Sequence, residues 1–259
     1  MGELNSFHWV ILLLGSAIMG LSKGGVPGAG NLTVALYVLV LEEAMGPAGV
    51  AISVGLLLPV LVSADLVSTM VYRKHVERKH ILRLLPYFIG GVLLGWLAFE
   101  YFQAPENASS LKVLIGTILL AMTALRFFSQ TKWWSEQIKI QDKLGLLGQF
   151  LGLLGGMATM LANAAGPIAQ FYLLVMKLPK YSFIGTSAWL FLFINVFKLP
   201  LMYELGVLSS HVLRVSLWLC IPAVLGAWIA PYLVRHINQD WFERLIWFFI
   251  VVAGIRMIL

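Results

Sequence analysis

The sequence predicts an all-α polytopic membrane protein of ten segments, arranged as an inverted five-plus-five repeat with two broken helical hairpins meeting at the bilayer midplane. Three observations carry this prediction. Of 259 residues, 60% are hydrophobic and only 12% charged, and the mean hydropathy of +0.88 leaves too little polar surface for a soluble protein. The stretch Gly20-Leu-Ser-Lys-Gly-Gly-Val-Pro-Gly-Ala-Gly-Asn31 interrupts an apolar run from Trp9 to Leu41, and its glycines and Pro27 exclude a straight helix. A matching interruption, Gly155-Gly-Met-Ala-Thr-Met-Leu-Ala-Asn-Ala-Ala-Gly-Pro167, breaks the run from Leu144 to Met176. Paired interruptions of this kind point to a transporter site at the midplane.

Taken in order, Phe7–Leu21 and Leu32–Leu41 form the first hairpin, with its tip at 22–31 inside the membrane and Glu42 and Glu43 closing it at one surface. The second segment is too short to cross about 30 Å of hydrocarbon on its own. A long span at Met45–Val71 leads to a basic loop at 72–80, and further spans follow at Ile81–Phe102 and Leu111–Phe128. The stretch Thr131–Lys143 carries Trp133 and Trp134 and is expected at the interface. The second half repeats the plan, with a hairpin at Leu144–Met176 and spans at Phe183–Tyr203, His211–Val234 and Trp241–Leu259. Three regions result: an N-terminal transmembrane repeat at 1–129, a linker at 130–143 and a C-terminal transmembrane repeat at 144–259. Internal matches support a duplication: His80-Ile-Leu-Arg83 returns as His211-Val-Leu-Arg214, Tyr72 as Tyr203, and Gly95-Trp96 as Gly226-Ala-Trp228.

Loop charges set the orientation. Five segments per half put the second half in from the opposite side. With the 72–80 loop in the cytoplasm, Arg73, Lys74, Arg78, Lys79, Arg83, Arg126, Lys132, Lys139, Lys143, Lys177, Lys180, Arg235 and Arg244 fall inside, and only Lys112, Arg214 and Arg256 fall outside. Both termini are then outside, in a multi-pass protein of a bacterial-type inner membrane. The net charge of +6 is explained by these loops, which removes nucleic acid as a partner. The lone Cys220 lies in an apolar run and offers neither a disulfide nor a zinc cluster, and no histidine spacing suggests a metal. The N-terminus lacks the basic region of a cleaved signal peptide.

The glycine-rich run at 20–30, its degenerate copy at 155–167, the long third span ending in a basic loop and the overall length resemble the TauE/SafE family of sulfite and organosulfonate exporters, including proteins like the 4-toluene sulfonate uptake permease. The resemblance covers essentially the whole chain. It implies a secondary transporter of small sulfur-containing anions working by alternating access in the lipid bilayer, with no cofactor, and it leaves a homodimer open. Export is the direction it implies, and uptake of a related oxyanion such as thiosulfate or sulfate is the alternative. Lys23 within the first motif, and Asn163-Ala-Ala in place of glycines in the second, depart from the family's usual pattern.

The residues also suggest an anion site by their own chemistry. An unwound segment frees backbone N–H groups, and the following half-helix adds a positive dipole end. Gly25, Gly28, Gly30 and Gly166 let the backbone approach a ligand, while Asn31 and Asn163 offer amide donors and Thr159 a hydroxyl. Lys23 is either an anion ligand or a snorkelling lysine at a shallow tip. Lys198, near the outer end of its span, either lines the pathway or snorkels. Asp65 is either a proton-coupling carboxylate or the partner of a base in the nearby loop. Ser187 and Asn195, on the repeat-mate of the Asp65 span, either line the path or join helices. An intramembrane enzyme built on Ser22-Lys23 is disfavoured, because adjacent side chains seldom aim at one carbonyl and no nucleophile turn accompanies them.

Overall fold

The computed structural model describes residues 4–26, 29–102, 104–129, 144–176 and 178–233, together with Val251 and Ile255. The linker at 130–143 and the span at Trp241–Leu259, apart from those two residues, lie outside the described residues. What is described is helical, with no strand among the described residues.

The helices are α1 (Ser6–Lys23), α2 (Ala29–Met45), α3 (Pro47–Val71), α4 (Arg78–Phe102), α5 (Ala108–Ser129), α6 (Leu144–Ala162), α7 (Gly166–Val175), α8 (Lys180–Glu204) and α9 (Ser210–Leu233). Among the described residues, α1, α3, α4, α8 and α9 are long and apolar enough to cross a membrane. Asn5 caps α1 by accepting from the His8 N–H at 2.9 Å, and Pro47 opens α3 at a position where its missing N–H costs nothing. α3, α4, α8 and α9 all contain proline beyond their first turn, which membrane helices tolerate when neighbours satisfy the freed carbonyls.

α3 and α8 pack on each other and are the most buried of the long helices, whereas α1, α4 and α9 present Leu14, Leu82, Leu97, Trp218 and Trp228 outward. That apolar exterior is what lipid requires. α1 lies against α9 and α4 against α6, and both crossings use the same device. A Cβ on Gly20 would collide with the Ala223 carbonyl oxygen, and one on Gly226 with that of Ala17. Equally, a Cβ on Gly91 would strike the Leu153 carbonyl oxygen, and one on Gly156 that of Phe88. Small residues at such crossings let backbones approach where lipid supplies no hydrophobic drive.

These contacts revise one expectation. Gly155 and Gly156 were expected within the second break, yet α6 runs unbroken through both to Ala162, because their lack of side chains is spent on the approach to α4. The break itself is confined to 163–165. α2 is also longer than predicted and takes Glu42 and Glu43 into its last turn, where Glu42 accepts from Lys112 Nζ at 3.1 Å.

Candidate functional site

Both breaks end their leading helix on a residue with left-handed backbone, and they do so with different chemistry. After α1, Gly25 has φ +126°, its N–H bonds the Ser22 carbonyl at 3.3 Å, and the Val26 N–H reaches back to Leu21 at 3.0 Å. This is the Schellman arrangement, which favours glycine. The hydroxyl of Tyr72 donates to the Gly24 carbonyl at 2.8 Å and fixes the turn to the end of α3. After α6, Asn163 takes φ +52°, with its N–H on the Thr159 carbonyl at 3.0 Å. Asparagine is among the few residues other than glycine that accept this conformation readily.

Between the breaks lies a small cavity of about 70 Å³. Ser22, Lys23, Gly30 and Asn31 line it from the first break, and Thr159, Asn163, Ala165 and Gly166 from the second. Asp65 of α3 and Ser187, Phe191 and Asn195 of α8 add to the wall, with Met19, Leu61 and Ala188 as its apolar part. The first turns of α2 and α7 therefore both border one space, which brings two helix N-termini to it.

Among the described residues, Lys23 and Asp65 at the cavity and Lys198 behind its wall place charge in the interior. Lys23 Nζ lies 2.9 Å from Asp65 Oδ1 and 3.3 Å from Oδ2, and it stands 4.3 Å from the centroid of the Phe191 ring. Asn195 Nδ2 donates to Asp65 Oδ2 at 2.7 Å. Lys198 is fully buried, at 0% exposure, and donates to the Thr159 carbonyl at 2.6 Å, the Asn163 Oδ1 at 2.6 Å and the Thr159 hydroxyl at 3.3 Å. Asn163 Nδ2 in turn donates to the Val54 carbonyl at 2.9 Å. Both ends of that amide are thus occupied. Asn31 differs: its Nδ2 is buried and has no hydrogen-bond partner among the described residues. A buried donor without an acceptor costs on the order of 1–3 kcal/mol, and here it borders the cavity.

Of the residues singled out in the sequence, Lys23, Gly30, Asn31, Asp65, Thr159, Asn163, Gly166, Ser187 and Asn195 share this cavity wall. Gly25 forms the turn behind it, and Gly28 lies outside the described residues. Some expectations change in detail. Lys23 does not snorkel: its side chain is 15% exposed and bound to Asp65. Asp65 pairs with this lysine of the break and with no loop base among the described residues. Lys198 does not snorkel either, because its ammonium turns inward to the end of α6. Ser187 bonds the carbonyl of its own helix at Ile184, at 3.0 Å. Phe191 was missed, although it stands one turn before Asn195 on α8 and so shares its face. Among the described residues no cluster of histidine, cysteine and acidic groups could hold a metal.

The arrangement offers an anion one ammonium, one free amide donor and two helix N-termini, with a carboxylate competing for the ammonium. A family model described as sulfite exporter TauE/SafE matches residues 12–257. No curated protein and no solved structure matches the chain.

Proposed function

This chain belongs to the sulfite exporter TauE/SafE family, a family of membrane transporters and not of enzymes, and from that membership we propose that it exports a small sulfur oxyanion, an organosulfonate or sulfite, through the cavity between its two breaks. The observation that carries the reading is the unpartnered Asn31 amide in the first turn of α2, which lines the same cavity as Lys23. A sulfonate would accept from both, and its remaining oxygens would meet the first turns of α2 and α7.

The competing Asp65 carboxylate gives the site a coupling device. With Asp65 ionised, Lys23 is neutralised and holds the anion weakly. Once Asp65 takes a proton, its hold on Lys23 falls and the ammonium is available to the substrate. Proton and anion then bind together, so export proceeds where the outward anion gradient exceeds the opposing inward proton gradient. Alternating access is the rocking of two inverted repeats, 1–129 and 144–259, about this site. Support comes from the reciprocal glycine crossings of α1 with α9 and of α6 with α4, and from the bond joining Asp65 to Asn195, 130 positions apart on corresponding helices.

A thermal-shift panel on purified protein tests the reading, with sulfite, thiosulfate, sulfate, taurine, sulfoacetate and size-matched carboxylates. Stabilisation grows as RT ln(1 + [L]/Kd), so a millimolar binder registers at tens of millimolar. Sulfonates or sulfite should raise the melting temperature where the carboxylates do not. An equal response to every anion would mean screening of charge in place of a site.

A further inference from the structure

The Lys198 ammonium has the surroundings of a bound monovalent cation. Its three polar partners are all oxygens: a main-chain carbonyl and a hydroxyl from Thr159 and the amide oxygen of Asn163. Among the described residues no carboxylate lies within ion-pair distance of it. Carbonyl, hydroxyl and amide oxygens grouped at the C-terminal end of an interrupted membrane helix are the ligands that transporters offer to sodium, and the helix dipole is negative at that end. The set is held in place independently of the lysine. Thr159 lies in the last turn of α6, and Asn163 is fixed by its left-handed backbone and by its bond to the Val54 carbonyl. Full burial then requires that something positive or donating fill the space, because acceptors left bare inside the membrane are costly.

We propose that the end of α6 is a monovalent-cation site, and that Lys198 fills it with a tethered ammonium in place of a sodium ion. The charge arrives on α8, so the second break stays joined to α8 without any ion from solution. In consequence, a cation need not bind at this position, and cation exchange there does not set the transport cycle. Removing the tether should uncover the latent site for free cations. The inference is independent of which anion is carried, since its readout is folding stability.

Melting temperatures of wild type, Lys198→Ala and Lys198→Met, measured at constant ionic strength in sodium, choline and methylammonium chloride, test this. Wild type should melt alike in all three. Lys198→Ala should melt lower in choline and recover as sodium or methylammonium is added, with a saturable dependence on concentration. Lys198→Met, whose side chain fills the space without charge, should melt low in every salt. The double variant Asn163→Asp/Lys198→Ala, with a carboxylate added to the oxygens, should require less sodium for the same recovery. A Lys198→Ala protein that melts identically in sodium, choline and methylammonium, or that folds in none of them, overturns the proposal.

Discussion

The two breaks occupy equivalent places in the chain and are finished in opposite ways. At the first, a glycine cap closes α1 with main-chain bonds and the distant Tyr72 hydroxyl, so the side chains beside it remain at the cavity: Lys23 in a pair that can exchange, and Asn31 with a free donor. At the second, the cap is Asn163, and its side chain is consumed by Lys198 and the Val54 carbonyl. A break capped by glycine can devote its polar groups to a ligand, whereas one capped by asparagine uses them to hold itself together. The site is thus chemically one-sided even though both breaks border it.

That contrast is sharpened most by Lys198→Met. It should destabilise the protein by about 3 kcal/mol, because the Thr159 carbonyl and Asn163 amide oxygen lose their donor inside the fold. Urea or thermal unfolding in detergent measures this, and a change near zero would mean that the second break is not held by its lysine. Next in size, Asn163→Leu should cost on the order of 2 kcal/mol, combining lost hydrogen bonds with a strained φ of +52°. Asn163→Gly keeps the backbone but not the side chain, so it should fall between wild type and the leucine variant. If it matches the leucine variant instead, backbone strain contributes nothing. Smallest in stability but informative for coupling is Asp65→Asn. It leaves Lys23 without its internal competitor and should tighten sulfonate binding at neutral pH while flattening the pH dependence of flux in liposomes. Weaker binding with an unaltered pH dependence would remove the carboxylate from the cycle.

Much of this arrangement was legible in the residues. Glycine clusters and short apolar runs marked both hairpins, since broken helices need positions that tolerate unusual backbone, and Gly25 is one of them. The residue types suited to an anion also marked eight members of the cavity wall, and Asp65, read as a candidate coupling carboxylate, is a ninth. What could not be read was how side chains divide their bonds. Gly155 and Gly156 resemble a break in composition, but a glycine at a helix crossing leaves the same trace as one in a turn, and only the approach of Phe88 separates them. Lys198 stayed open between two roles because nearness to a span's end permits snorkelling without requiring it. Its place three residues after Asn195, on the same helical face as a cavity residue, was the available signal.

The most direct test of the central claim is titration of a sulfonate or sulfite that stabilises wild type, by calorimetry, against Asn31→Leu and wild type in parallel. The first break is held to supply the free donor, so Asn31→Leu should fold at least as stably as wild type and bind about 10-fold or more weakly, the worth of one hydrogen bond to a charged ligand. Unchanged affinity in a stably folded Asn31→Leu protein would contradict it.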